Sequence, residues 1–206
     1  METERVRNLV VLGCVHGLAN EARVLLAALE REPPDVLLLA LSVESLAALE
    51  RGSSEVDPDS LADAEAAYAV ALERFGEVAL PPPDLVAALA WAKEKGVPVE
   101  AVDLTEEEYE DTFTSEVGTW SLLRYGRLVR RMVKRPPEAS TPEAFARAWD
   151  RSLRRIKGLA AVEAARESAI AERSLKHAER RRAVLVLDVA RFDGVVAALR
   201  ARQGKD

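Results

Sequence analysis

The stretch that decides the fold is Asn8-Leu9-Val10-Val11-Leu12-Gly13-Cys14-Val15-His16-Gly17, near the start of the chain. Its four consecutive aliphatic residues predict a strand that is buried on both faces. A helical spacing of apolar residues begins directly afterwards, at Leu18. A strand that passes through a glycine-flanked turn into a helix is typical of an α/β unit, in which the carboxyl ends of parallel strands line the ligand-binding crevice. We therefore expect Cys14 and His16 to lie at such a crevice.

Composition favours a cytoplasmic globular protein with one domain over residues 1–206. The chain is 49% hydrophobic and 31% charged, and its formal net charge is −6, so no nucleic-acid partner is expected. A single cysteine excludes an internal disulfide and a cysteine-based zinc cluster, and it favours a reducing compartment. No apolar run approaches the ~20 residues of a membrane-spanning helix, and no signal peptide is visible, so no membrane segment is expected.

Four apolar runs predict strands: Leu9 to Leu12, Val36 to Leu41, Val97 to Val102, and Ala183 to Leu187. Pro98 cannot donate to a sheet ladder, which places it at a strand start or on an exposed edge. The intervening residues have helical spacing, and nearly everything from 105 to 181 reads as helix. The predicted fold is α/β, a largely parallel sheet of about four strands flanked by helices, with a helical insertion at approximately 105–181 between the third and fourth strands.

Cap and stop residues bound several predicted helices. Ser42 suits the start of a helix over 43–51, Gly76 suits the end of one over 60–75, and Asp84 suits the start of one that ends at Gly96. Thr105 and Glu108 have the spacing of a capping box. Two locally basic runs, 124–135 and 147–155, are interpreted either as solvated helix faces or as a site for a polyanion.

The predicted strand ends carry the polar side chains that could form a site. They are Cys14 and His16, Ser42 with Glu44, Asp103, and Asp188 with Arg191. A histidine with two or three carboxylates is a frequent ligand set of hydrolytic metal centres, and an adjacent arginine suits an anionic substrate. The alternative is that each serine or aspartate simply caps the helix that follows it.

His16 is one of two histidines, and the other, His177, lies in a polar helical stretch where a surface position is expected. Two roles remain open for His16, contact with a ligand and satisfaction of backbone groups in its turn. No second histidine is placed to activate Cys14, so we interpret it as a small buried hydrophobic residue.

Four segments resemble the TraB/PrgY-like family, which is related to the ChaN, erythromycin esterase and Tiki proteins. Gly13-Cys14-Val15-His16 is similar to the family's opening G-x-x-H, and Pro34-Asp35-Val36-Leu37 to its P-D-x-V strand. Ala165-Arg166-Glu167-Ser168-Ala169-Ile170-Ala171 is similar to its E-R-D-x-x-M-A helix, and 186–195 to its final strand and turn. The resemblance covers most of the chain and implies an α/β fold.

The chain departs from that family at three positions that carry its chemistry. Ala40 stands where the family has a glutamate, Ala165 replaces another glutamate, and Arg191 stands at the second histidine. The resemblance then implies a non-catalytic relative that binds an unidentified small molecule or protein. The ligand-binding candidates are His16, Gly13, Asp103, Arg166, Asp188 and Arg191.

Two alternatives stay open. One is a metal-dependent peptidase or esterase in which His16, Asp103 and Asp188 hold a divalent metal. A calcineurin-like phosphoesterase is a variant of it, because Cys14-Val15-His16-Gly17 is similar to that family's D-x-H-G, with Cys14 in place of the aspartate. The other is a structural homo-oligomer, such as a homodimer, whose Ala- and Leu-rich helices pack across a two-fold axis.

Overall fold

The structure, a computed structural model, describes residues 1–52 and 63–203 of the chain. Its strands are β1 (Glu2–Val6), β2 (Leu9–Cys14), β3 (Val36–Leu39), β4 (Val99–Ala101) and β5 (Ala183–Asp188). The first helices are α1 (Ala19–Arg31), α2 (Val43–Glu50), α3 (Asp63–Leu72) and α4 (Pro83–Lys95). They are followed by α5 (Glu106–Glu116), α6 (Thr119–Lys134), α7 (Pro142–Leu153), α8 (Lys157–Ala178) and α9 (Val189–Gln203).

The strands form one mixed sheet in the order β1-β2-β5-β3-β4. β2, β5, β3 and β4 run parallel, and β1 pairs antiparallel with β2. The predicted α/β class and largely parallel sheet are confirmed. The sheet has one strand more than predicted, because β1 has the polar sequence Glu2-Thr3-Glu4-Arg5 and gave no apolar signal.

Alternating residues of the strands face two separate apolar cores. Leu9, Val11, Leu38 and Leu185 point to the side covered by α8 and α9. Val10, Leu12, Leu37 and Val186 point to the side covered by α1, α2 and α4. Every residue of β2 and β3 is buried, as expected for parallel strands covered by helices on both faces.

A third apolar cluster lies beyond the carboxyl ends of the strands. It joins Val15 and Leu18, after β2, to Leu72 of α3 and to Phe145 and Trp149 of α7. Tyr68 stacks on Phe145, with ring centroids 5.6 Å apart. Helices therefore stand over the sheet edge where the sequence places its polar candidates.

Several predicted helix ends are confirmed. Ser42 caps α2 by accepting a hydrogen bond from the N–H of Ser45, and Thr105 and Glu108 form the predicted capping box. Gly96 ends α4 with φ of 67°, in the left-handed region that glycine adopts most easily. The helix expected over 60–75 is seen as α3 and a 3-10 turn, Glu73–Phe75, and residues 60–62 lie outside the described part.

The four helices α5 to α8 follow one another between β4 and β5, where a helical insertion was predicted. They do not form a layer of their own. Ile170 and Ala171 of α8 are fully buried in the core on the α8/α9 side of the sheet. The structure thus does not confirm an insertion separate from the sheet, and the single domain over 1–206 stays a prediction. No helix in the described residues has the length and apolar character to cross a bilayer.

Two helical glycines should respond oppositely to a methyl group. A Cβ at Gly158 would lie 3.1 Å from Cα of Val117 and closer still to the carbonyl oxygen of Glu116, whereas a Cβ at Gly126 would meet nothing nearer than the Arg130 guanidinium, at 4.0 Å. We expect Gly158→Ala to lower the free energy of unfolding by about 1–3 kcal/mol, because α8 must move away from the end of α5. We expect Gly126→Ala to raise it by about 0.5–1 kcal/mol.

Urea unfolding of both variants measures these changes. Equal effects at the two positions would show that the α5–α8 contact is looser than described.

Candidate functional site

His16 lies on the turn between β2 and α1, and backbone contacts on both sides hold this turn. The N–H of Ala79 donates to the carbonyl of Gly17 over 2.9 Å, and the N–H of Ala19 donates to the carbonyl of Glu77 over 3.0 Å. Gly17 has φ of 99°, which a residue with a Cβ adopts only with strain. The turn therefore presents the His16 side chain in a fixed position.

Asp84 is the partner of His16. Its Oδ2 lies 2.6 Å from Nδ1 of His16, and its side chain has no solvent exposure. The other oxygen, Oδ1, has no hydrogen-bond partner among the described residues. Asp84 was predicted to cap α4, and this prediction is wrong, because the cap position is Pro82 and no side chain caps the helix.

The pairing of His16 with Asp84 shifts the pKa of both groups. Burial alone would lower the pKa of His16, but the carboxylates of Asp84 and Asp188 raise it above the ordinary value. Burial alone would raise the pKa of Asp84, but the imidazolium of His16 lowers it. Both shifts favour the charged forms, in which Nδ1 of His16 donates to Oδ2 of Asp84.

Asp188 and Arg191 both lie at the carboxyl end of β5. The register that pairs Cys14 with Asp188 brings Asp188 beside the His16 turn. Oδ1 of Asp188 accepts a hydrogen bond from the N–H of Ala190, so this residue also has the predicted capping role. The guanidinium of Arg191 binds Glu163 of α8, with Nε 2.7 Å from Oε2.

Asp103 is engaged elsewhere. Its side chain is 2% exposed, and the Nε of Arg166 donates to its Oδ2 over 3.1 Å. Its Oδ1 accepts from the N–H of Leu104. The two predicted site residues Asp103 and Arg166 thus form an ion pair with each other.

Glu163, which the sequence did not single out, joins the arginines. Burial would raise its pKa, but Arg191, Arg166 and Arg154 lower it to about 2. Arg166 lies 3.2 Å and Arg154 3.8 Å from its carboxylate. Glu163 is therefore an anion that holds the three arginine side chains close together.

Gly13 has a packing role. A Cβ there would come 2.7 Å from the ring of Phe192, so the glycine allows α9 to lie against β2. It is not among the residues that line the cavity described next. Asp103 does not line it either, so four of the six ligand-binding candidates, His16, Arg166, Asp188 and Arg191, lie at that cavity.

A cavity of about 680 Å³ opens at this edge of the sheet. His16, Asp188, Arg191, Glu163 and Arg166 line its polar part. Much of the remaining wall is apolar or aromatic and comes from α3 and α5 to α8, with Leu72, Phe113, Leu122, Trp149 and Val162 among its residues, and Val78 is added by the segment before α4. Its volume falls in the range of about 300–1,000 Å³ that is usual for small-molecule sites.

Within the part of the chain that the structure describes, no three histidine, cysteine or carboxylate side chains lie together in a way that could hold a metal ion. The predicted set of His16, Asp103 and Asp188 does not form such a group. Asp103 is instead paired with Arg166, and His16 is paired with Asp84.

Comparison of the chain with protein-family models, curated proteins and solved structures finds no match. The resemblance to the TraB/PrgY-like family stays a prediction.

The two charges of the pair predict a pH window. Below its ordinary pKa of 6.5, His16 makes its full contribution to the free energy of unfolding. This contribution is lost as the pH rises through its raised pKa. The contribution of Asp84 is complete above its ordinary pKa of 3.8 and is lost as the pH falls through its lowered pKa. The pair should stabilise the fold most between these two ordinary values.

Nitrogen-detected NMR titration can follow the two histidines separately. We expect the pKa of His16 to fall in Asp84→Asn, and to fall less in Asp188→Asn, because the hydrogen bond and nearer charge come from Asp84. The signals of His177, which lies on α8 away from the pair, serve as the internal control and should coincide in both variants. A larger fall in Asp188→Asn than in Asp84→Asn would contradict the pairing.

Proposed function

We propose that the protein binds a small, mainly apolar organic molecule in the cavity at the carboxyl edge of the sheet. The observation that carries this proposal is the cavity itself, about 680 Å³, whose largely apolar lining includes His16 and a few charged side chains. Apolar walls provide affinity by removing ligand surface from water, and a few polar groups fix its orientation. This function agrees with the interpretation of the chain as a ligand-binding relative of a hydrolase family.

The charges around the cavity favour a ligand with a hydrogen-bond acceptor at one end. Glu163 pairs with Arg191 at 2.7 Å, so this arginine is already neutralised. Asp84 favours the protonated form of His16, and the ring lines the cavity. Its second nitrogen is then a donor, which suits a carbonyl or ether oxygen of a neutral molecule.

Two adjacent positions on α3 test the cavity. Ala69 lines it, whereas Val70 is 67% exposed and does not line it. We expect Ala69→Phe to weaken the binding of Nile red, a neutral aromatic probe with a carbonyl group, by about tenfold or more, which equals about 1.4 kcal/mol. Val70→Phe should leave the affinity unchanged. Fluorescence titration at constant protein concentration gives both values.

Urea unfolding of each variant confirms that it is folded before titration. Failure of the native protein to bind Nile red, or equal weakening by both substitutions, would contradict a ligand in this cavity.

The His16–Asp84 pair favours a second candidate function, hydrolysis without a metal. A histidine that contacts a fully buried carboxylate at 2.6 Å and lines a cavity has the arrangement of a general acid–base pair. Asp84 would hold the ring by Nδ1, and Nε2 would exchange a proton with water or the leaving group. This candidate keeps the hydrolase activity that the sequence predicts. It uses the His16–Asp84 pair as the catalytic group instead of the predicted metal ion.

Ester hydrolysis separates the two candidates. With p-nitrophenyl butyrate, His16→Ala should lower kcat/KM by about 10²–10⁴-fold if the pair is catalytic. Asp84→Asn should also lower it, with a shift of the pH profile to lower pH because the pKa of His16 falls. His177→Ala is the matched control and should keep full activity. An inactive native protein, or activity that survives in His16→Ala, would exclude this candidate while leaving the binding proposal to its own test.

A further inference from the structure

Helix α6 has an inner face that belongs to the protein core. Val129 is 3% and Met132 is 4% exposed, and Met132 packs in the cluster with Phe145. Leu122 and Tyr125 of the same helix line the cavity. The position of α6 is therefore fixed by its inner face.

The outer face of α6 is basic along its whole length. Arg124, Arg127, Arg131 and Lys134 recur at spacings of three and four residues, which places them on one side of the helix. Arg130 and Arg135 are also exposed and lie close to this row. The helix spans about 24 Å at 1.5 Å per residue, so the row is long enough to touch several lipid headgroups at once.

This charge is concentrated, and among the residues that the structure describes it has no acidic partner. The segment 119–135 contains no aspartate or glutamate, in a chain whose net charge is −6. The carboxylates of the described residues form ion pairs with arginines elsewhere, and they form none with the six basic residues of this segment. Arginine and lysine side chains that form no ion pair with the described residues can bind an anionic partner.

Large apolar side chains stand in the same basic row. Trp120 is 79% exposed and Leu123 is 50% exposed, and their spacing from Arg124 and Arg127 places them on the outer face. Exposed tryptophan and leucine between arginines are typical of helices that lie in the headgroup region of a membrane.

We propose that the outer face of α6 docks the protein on an anionic phospholipid surface. The arginines bind lipid phosphates, and Trp120 and Leu123 enter the boundary between headgroups and acyl chains. A nucleic acid or an acidic protein surface would satisfy the arginines equally well. Those partners offer no apolar phase for Trp120 and Leu123, so the observations favour lipid.

Vesicle binding tests the proposal with the full chain. We expect co-sedimentation with vesicles of equal parts phosphatidylglycerol and phosphatidylcholine, and none with pure phosphatidylcholine. The emission of Trp120 should shift to shorter wavelength on binding, since Trp91 and Trp149 are each 5% exposed and already shielded. The variant Trp120→Ala/Leu123→Ala should lose the shift and bind about fivefold or more weakly.

Charge reversal tests the arginines, and a second triple variant outside α6 is its matched control. Arg124→Glu/Arg127→Glu/Arg131→Glu should weaken vesicle binding by about a hundredfold or more. Arg51→Glu/Arg155→Glu/Arg180→Glu changes the net charge by the same amount at exposed positions outside α6, and it should keep binding within about threefold. Circular dichroism establishes that each variant is folded.

Three results would overturn the proposal. The first is no sedimentation of the native protein with the anionic vesicles at low salt. The second is equal weakening by the two charge-reversed variants. The third is binding to a DNA duplex or to polyglutamate, through the same arginines, that is tighter than binding to the vesicles.

Discussion

The parallel pairing of β2 with β5 is the contact on which the fold and the site both depend. It joins the first apolar run of the chain to the last one, and its register sets Cys14 opposite Asp188. Without β5 between them, β2 and β3 would share no partner, and the sheet would separate into two pieces. The same register brings the His16 turn and the start of α9 to one edge, so the formation of the sheet and of the polar part of the cavity is a single event.

Buried charge at this edge is balanced pair by pair. Asp84 has His16, Asp103 has Arg166, and Glu163 has Arg191, each within hydrogen-bond distance. Removing a carboxylate from water costs several kcal/mol, about as much as a well-formed pair returns, so such pairs add little stability. They do specify geometry, because each charge is stable only when its own partner is in place. The cavity is shaped by groups on six helices, α3 and α5 to α9, which must all dock correctly.

The sequence predicts the parallel part of the fold well because buried strands are continuous apolar runs. It does not predict β1, since an edge strand paired on one side needs no such run. The predicted strand ends alone are enough to place His16 and Asp188 at the carboxyl edge of the sheet. Asp84 could not, because an aspartate at a helix start has the same local sequence whether it caps the helix or contacts a histidine 68 residues away. Glu163 sits in a charged helix, where one glutamate among many gives no sign that three arginines converge on it.

The two edges of the sheet differ in how they are protected. β4 has only three residues, and Pro98, which precedes it, has no N–H to offer. β1 is longer, but Glu2 and Glu4 hold Arg147 and Arg200 of the helices beside it. Charged or very short edges resist the addition of a foreign strand. The sheet is thus closed to growth from either side, and concentrated solutions of the protein should be free of intermolecular β-structure.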